Sequence, residues 1–88
     1  MQVGLPMNYE FEVVLAGHEV MTVELGDALV AAGCDDSTTG SCNGKAFVAF
    51  DREAPSLEEA IRSALADVRK AGIEPSEVRM APDSLAIV

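Results

Sequence analysis

Two short stretches of the chain, Asp35-Asp36 and the loop around His18, carry side chains suited to catalysis or metal binding. Neighbouring carboxylates can bind a hard cation such as Mg²⁺ or act as a general acid and base. Adjacent residues of an extended chain point in opposite directions, so we interpret Asp35 and Asp36 as capping a turn. His18 has no Ser, Cys or carboxylate at a catalytic spacing, which favours an exposed loop histidine.

Arg52 is the candidate for contact with a ligand or partner. It stands in Asp51-Arg52-Glu53, between a predicted strand and the second predicted helix. A guanidinium can hold a carboxylate or phosphate through two parallel hydrogen bonds. The alternative is an ordinary local salt bridge. The glycines of the chain fit neither a dinucleotide-binding nor a phosphate-binding loop, so we predict a protein that is not an enzyme and uses no cofactor.

The two cysteines, Cys34 and Cys42, do not predict a metal site. With a single histidine elsewhere in the chain, they cannot supply the four ligands of structural zinc. A disulfide would require their α-carbons to approach within about 7 Å, and a reducing compartment opposes one. We expect two reduced, mostly buried thiols.

The composition describes one small, acidic domain. The chain has 88 residues, with 6 basic and 15 acidic side chains, for a formal charge of -9. This balance disfavours direct binding to nucleic acid or to an anionic membrane surface. No apolar run is long enough to span a bilayer, and no Lys or Arg opens a signal peptide. The expected location is therefore cytoplasmic.

The net negative charge is concentrated in the first half of the chain. Up to Gly44 there are seven acids and no Lys or Arg. The first strand and first helix should form an acidic surface that is available to a basic protein partner. The alternative is a solvated face that keeps the protein in solution. The seven acids are Glu10, Glu12, Glu19, Glu24, Asp27, Asp35 and Asp36.

The pattern of residues predicts six elements after a flexible N-terminal arm, 1–8, in a single domain that spans 9–88. A strand with period two begins at Tyr9. Thr22 caps a helix over Val23–Ala32, although Val20–Leu25 could instead form a hairpin strand. Asn43-Gly44 forms a type I′ turn between strands at 37–42 and 45–51. Ser56 and Glu59 form a capping box for the second helix, in which Leu65 should be fully buried. The last strand covers 77–81 and ends at Pro82.

The order strand, helix, strand, strand, helix, strand predicts an α+β fold, namely a two-layer ferredoxin-like β-α-β-β-α-β sandwich with an antiparallel sheet. The third strand is apolar on both faces, and no helix of the chain covers the far side of the sheet. We therefore expect a homodimer through that side. The candidate interface residues are Phe47 and Ala49, or Val48 and Phe50, together with Glu10 and Glu12.

Several short motifs together resemble a family of small, largely uncharacterised bacterial proteins, over about Tyr9 to Leu85. The motifs are Ala32-Gly33-Cys34-Asp35-Asp36, Phe50-Asp51-Arg52-Glu53-Ala54, Ser56-Leu57, Ala60-Ile61, Ser63-Ala64, Asp67-Val68 and Ala71-Gly72. In that family a domain like this one is followed by an excisionase-like or MerR-like helix-turn-helix. This part would begin near Ile87-Val88, so the resemblance assigns no DNA-contacting residue here.

These observations favour a non-enzymatic dimerisation or partner-binding domain of a bacterial regulatory protein. Two alternatives remain open at this point. One is an antitoxin-like or immunity-like binder that uses the acidic face, and the other is a small-molecule sensor domain. A sensor should have a polar cleft at a dimer seam, whereas a protein binder should have an acidic or apolar patch.

Overall fold

Six elements follow one another along residues 7–80, the part of the chain that the computed structural model describes. The four strands form one sheet in the order β2-β3-β1-β4, and every neighbouring pair is antiparallel. This arrangement confirms the predicted α+β, ferredoxin-like fold. The elements are β1 (Met7–Leu15), α1 (Val23–Ala31), β2 (Ser37–Cys42), β3 (Lys45–Ala54), α2 (Leu57–Lys70) and β4 (Pro75–Met80).

Both helices begin where the sequence predicts. The Thr22 hydroxyl accepts a hydrogen bond from the backbone N–H of Leu25 at 3.1 Å, which confirms α1 over the hairpin alternative. The Ser56 hydroxyl accepts from the N–H of Glu59 at 3.2 Å and starts α2. Each bond satisfies a donor that the first turn of a helix leaves unpaired.

The Asn43-Gly44 turn is also confirmed. Asn43 has a φ of 54° and Gly44 a φ of 75°. A type I′ turn requires positive φ at both central residues, and its twist matches that of the strands it joins. The turn fixes the register of the β2–β3 hairpin, in which Cys42 pairs with Lys45.

The core lies between the helices and one face of the sheet. Alternate residues of β3 point towards the helices, and Val48 and Phe50 are 0% and 2% exposed. Phe50 lies opposite Phe11 of β1, and their rings stack with centroids 5.4 Å apart. Stacked aromatic pairs add to the stabilisation from buried apolar area. From α1, Leu29 completes this core and is fully buried.

Helix α2 packs through its small side chains. Ala60, Ala64 and Val68 are fully buried, whereas Leu65 is only half-buried. The prediction of a fully buried Leu65 is therefore wrong. Small residues let the helix lie close to the sheet, and the larger apolar residues are displaced to the flank of the helix.

The ends of three strands differ from the predictions. Strand β1 begins at Met7, so the predicted arm is shortened and its residues 1–6 lie outside the described residues. Strand β3 continues to Ala54, three residues further than predicted, because β1 pairs with it along that length. Strand β4 begins earlier, at Pro75, which pairs with Leu15 beyond an irregularity in register. The predicted end at Pro82 lies outside the described residues.

Replacement of Gly26 by Ala should stabilise the protein. Gly26 lies inside α1, and a Cβ there would meet only the Thr39 hydroxyl, at 4.0 Å. Alanine lowers the entropy lost on folding, so we expect Gly26→Ala to raise the free energy of unfolding by about 0.5–1 kcal/mol. In a domain of this size that raises the thermal midpoint by roughly 2–8 °C.

Gly33→Ala is the matched control for this measurement. Gly33 has a φ of 116°, and a Cβ there would lie 2.9 Å from a carboxylate oxygen of Asp67. This variant should therefore lower the thermal midpoint. An unchanged or lower midpoint for Gly26→Ala would show that α1 is packed differently.

Candidate functional site

Arg52 is a buried charged residue of the described core. It lies on the face of β3 that points towards the helices, and it is 8% exposed. Its guanidinium carbon lies 4.9 Å from the centre of the Phe50 ring. A cation over an aromatic face is attracted by the ring quadrupole, but a buried charge also needs hydrogen bonds and an opposite charge.

The segment between α1 and β2 supplies the first set of these partners. Asp36 accepts two hydrogen bonds, from Nε of Arg52 to Oδ2 at 2.8 Å and from Nη2 to Oδ1 at 2.9 Å. Nη2 also donates to the carbonyl oxygen of Gly33 at 3.0 Å. The paired contact with Asp36 is the bidentate geometry in which a guanidinium and a carboxylate bind most strongly.

Helix α2 supplies the second set of partners. Nη1 of Arg52 lies 3.0 Å from Oδ2 of Asp67 and donates to the Ser63 hydroxyl at 3.1 Å. A guanidinium has five N–H donors, and five contacts with oxygen atoms account for them. We call Arg52, Asp36, Ser63, Asp67 and the Gly33 carbonyl the Arg52 network.

The network changes the acidity of its members. The hydrogen bond from Arg52, together with its positive charge, holds the pKa of Asp36 below the ordinary value, against the opposing effect of burial. The hydrogen bond from Asp36 raises the pKa of Arg52 further, although burial opposes this shift. Both groups therefore stay ionised throughout the physiological pH range.

Cys34 lies next to the network and is 0% exposed. Burial, with a further contribution from the charge of Asp67, raises the pKa of its thiol to about 11. The thiol therefore stays protonated at neutral pH and is a poor nucleophile. Cys42 is exposed, so the expectation of two mostly buried thiols holds for Cys34 and is wrong for Cys42. Neither thiol is in a disulfide.

The five contacts limit the ability of Arg52 to bind an external ligand. An external carboxylate or phosphate would have to displace one of the oxygens that already bind it. The geometry resembles the alternative of a salt bridge, but the partners are distant in sequence and are not its neighbours Asp51 and Glu53. A direct ligand contact by Arg52 stays a prediction that no observation here tests.

Sequence reasoning missed the contribution of α2 to this network. No sequence pattern assigns Asp67 to this site, whereas the Asp67 side chain is 27% exposed and contacts Arg52. The available signal is the spacing of Ser63 and Asp67, which are four residues apart and therefore share a helix face. The contact of the Gly33 carbonyl is made by the backbone, so no pattern of side chains predicts it.

The structure separates the other candidate catalytic residues. Asp36 binds Arg52, while Asp35 is exposed and takes no part in the network. His18 is half-buried beside an open cleft of about 730 Å³ at one end of the sheet. Its backbone carbonyl accepts a hydrogen bond from the N–H of Ala46 at 2.9 Å. Among residues 7–80 there is no cluster of three His, Cys, Asp or Glu side chains that could bind a metal ion.

Four of the six candidate interface residues lie on the open face of the sheet, the side that faces away from the helices. Val48 and Phe50 belong to the core, so they cannot form an exposed interface. Phe47 and Ala49 point to the open face and are half-buried. The register places Glu12 opposite Ala49 on the same face. Glu10 is also there, opposite Asp51.

The open face has an apolar centre and an uneven border of charge. Phe47 lies opposite Val14 of β1 and over Gly40 of β2, where a Cβ would be 2.8 Å from the Phe47 ring. Val14 is 1% exposed. At one end of the face, Glu10 lies directly opposite Asp51, an arrangement of like charges that destabilises a sheet.

No protein-family model, no curated protein sequence and no solved structure matches the chain. The site must therefore be interpreted from its own geometry. Among the helices formed by the described residues, none is both long enough and apolar enough to cross a membrane.

The acid sensitivity of the fold should depend on Asp36. Its pKa is lower in the folded chain than the ordinary value of 3.8, so its ion pair contributes stability above that value. This stability is lost as the pH falls through the folded-state pKa. The difference in urea midpoint between wild type and Asp36→Asn should be constant near neutral pH and shrink below about pH 4.

Asp35→Asn is the control, because it removes an adjacent carboxylate that does not contact Arg52. Its urea midpoint should change with pH in the same way as that of the wild type. If the difference between wild type and Asp36→Asn stayed the same down to the acid limit, the ion pair would have no role in pH-dependent stability.

Proposed function

We propose that the chain is a non-enzymatic interaction domain that forms a homodimer through the open face of its sheet. The observation that carries this proposal is the apolar centre of that face, where Phe47 and Ala49 are half-buried. These residues lie on the side of the sheet that no helix of the described residues covers. Apolar surface gains roughly 25 cal/mol per Å² when it is removed from water.

The size of the face allows a small interface between two copies. The four strands, in chain order, have nine, six, ten and six residues. At about 3.3 Å per residue and about 4.8 Å between strands, the face covers roughly 500 Å². Two such faces bury on the order of 1,000 Å², which is the size of a weak or transient interface.

The distribution of charge favours an antiparallel pairing of the two faces. Glu10, Asp51 and Glu53 lie near one end of the β1–β3 pair, and Lys45 lies at the other end. A two-fold axis that lies between the two faces, perpendicular to the strands, would place Lys45 of each protomer near the acidic end of its partner. Arg79 already pairs with Glu12 within one chain, at 3.4 Å, so the centre carries little unpaired charge.

The regulatory part of the proposal rests on the resemblance to small bacterial helix-turn-helix proteins. Such regulators bind paired half-sites on DNA as dimers, with the spacing of the half-sites set by the dimer. A domain that pairs two copies would serve that purpose without binding DNA itself, and its charge of -9 is in keeping with this.

One observation favours a second candidate, a binder of a basic protein in the manner of an antitoxin or immunity protein. Glu10 and Asp51 face each other on the open face, with Glu53 beyond them. Their repulsion is relieved when a Lys or Arg from a partner approaches. In this alternative the same face is used, but its occupant is a basic protein.

Sedimentation velocity of the pure chain tests the dimer. At micromolar concentration the wild type should sediment as a dimer, and Phe47→Lys should sediment as a monomer, because it places a charge in the apolar centre. Val23→Lys is the matched control, since Val23 is 78% exposed on α1, away from the open face. It should stay dimeric.

Thermal unfolding of each variant separates lost dimerisation from lost folding. A monomeric wild type would overturn the dimer proposal. Association of that monomer with a basic protein, weakened by Glu10→Gln together with Asp51→Asn, would instead support the second candidate.

A further inference from the structure

Among the described residues, strand β2 lies at an edge of the sheet and lacks the usual protection against pairing. One side of it pairs with β3, and it is the first strand in the sheet order. Its six residues, Ser37–Cys42, include neither proline nor a charged side chain. The opposite edge, β4, contains Pro75, Glu77 and Arg79 and pairs irregularly with β1. Proteins use prolines, charges and irregularities of this kind to stop a further strand from adding.

The free edge of β2 presents three regularly spaced sets of backbone groups. The two-residue turn makes Cys42 and Lys45 a hydrogen-bonded pair, and the N–H of Asp51 donates to the carbonyl of Asp36 at 3.0 Å. In an antiparallel ladder the direction of these groups alternates along the strand. The N–H and C=O groups of Ser37, Thr39 and Ser41 therefore point away from β3, towards the free edge.

A groove runs beside this edge, between β2 and α1. It has a volume of about 430 Å³, and its lining includes Val23, Gly26, Val30 and Thr39. Val23 and Val30 are 78% and 54% exposed and are seven residues apart, so they lie on the same face of α1. Between them, Gly26 has no side chain, and this keeps the groove open next to Thr39.

We propose that β2 and α1 form a docking groove for an extended polypeptide segment of a partner protein, which adds to the sheet as an antiparallel fifth strand. Backbone hydrogen bonds to β2 supply affinity in this mode, and pockets for alternate side chains supply specificity. Alternate apolar side chains of the segment point into the groove against Val23 and Val30. The added strand is antiparallel because every pair in this sheet is antiparallel.

The charge near the groove attracts a segment that is basic overall. It acts through its field and not through direct contacts, because the basic side chains that alternate with the apolar ones lie on the other side of the sheet. Glu24 and Asp27 lie on α1 and Asp35 lies just before β2, all of them exposed. Residues 1–44 contain no Lys or Arg. A second copy of β2 would bring the same acids together, which disfavours self-pairing at this edge. The groove lies on the helix side of the sheet, so it can act independently of a dimer formed through the open face.

The test uses a fluorescein-labelled peptide of nine alternating Lys and Val residues, titrated against the full chain at low salt. Saturable binding is expected in fluorescence anisotropy. In an antiparallel fifth strand, the valines that face the groove also direct their N–H groups towards β2. A peptide with N-methylated valines should therefore bind roughly tenfold more weakly or worse, as expected for lost hydrogen bonds.

The matched control is the same peptide with N-methylated lysines, whose N–H groups point to solvent. It has equal charge and should bind like the unmodified peptide. If both methylated peptides bound like the unmodified one, the attraction would be electrostatic alone. If both bound equally poorly, the loss would not depend on the N–H groups that face β2. Either result would overturn the proposal. Absence of saturable binding would overturn it as well.

Variants of the chain locate the site. Thr39→Pro removes an N–H that points to the free edge, and folded edge strands tolerate a proline of this kind. This variant should bind the unmodified peptide only as weakly as the wild type binds the N-methylvaline peptide. Thr38→Ala changes a side chain on the open face and should have no effect. Phe47→Lys should bind the peptide like wild type, so failure of the dimer proposal and failure of this one are distinguishable.

Discussion

The bidentate ion pair between Arg52 and Asp36 is the interaction on which the arrangement of the other elements depends. Arg52 belongs to β3, the strand in the middle of the β2-β3-β1 part of the sheet. Through Asp36 and the Gly33 carbonyl it holds the connection from α1 to β2, and through Ser63 and Asp67 it holds α2. One guanidinium thus fixes two separate segments relative to the sheet.

Removal of a charge from water costs free energy, and the contacts of Arg52 offset this cost. Two carboxylates, a hydroxyl and a carbonyl surround the guanidinium, and the Phe50 ring covers part of it. Replacing buried ion pairs by well-packed apolar residues is often neutral or stabilising, whereas removing one partner is strongly destabilising. The network holds the segment from Gly33 to Asp36, which joins α1 to the start of β2. The proposed groove between α1 and β2 depends on that placement.

The sequence predicts the fold well because its local signals agree. Thr22, Ser56 and Asn43-Gly44 each fix the end of an element through local geometry, and the structure confirms all three. The alternation of β3 predicts two apolar faces but does not tell which one faces the helices, since Phe47 and Val48 are equally suited to a core. In the structure Val48 and Phe50 face the helices, together with Arg52, whereas Phe47 and Ala49 lie on the open face.

The candidate sites were less predictable for a different physical reason. Arg52 draws its partners from positions 16 residues before it and 11 and 15 residues after it, and no local pattern encodes contacts of that range. Leu65 fits the helical period of the core, yet it is half-buried because the small residues Ala60, Ala64 and Val68 hold α2 close to the sheet. The groove beside β2 likewise depends on where Gly26 meets Thr39, which only the packed structure reveals.

A double-mutant cycle between Arg52 and Asp36 tests the central claim most directly. The free energy of unfolding in urea would be measured for wild type, Arg52→Met, Asp36→Asn and the double variant. We expect either single change to be strongly destabilising, and replacement of the buried Arg52 should cost about 3–5 kcal/mol. The second change should cost much less once the first is made. A coupling energy above about 1 kcal/mol agrees with a shared network, whereas additivity within about 0.5 kcal/mol would contradict it.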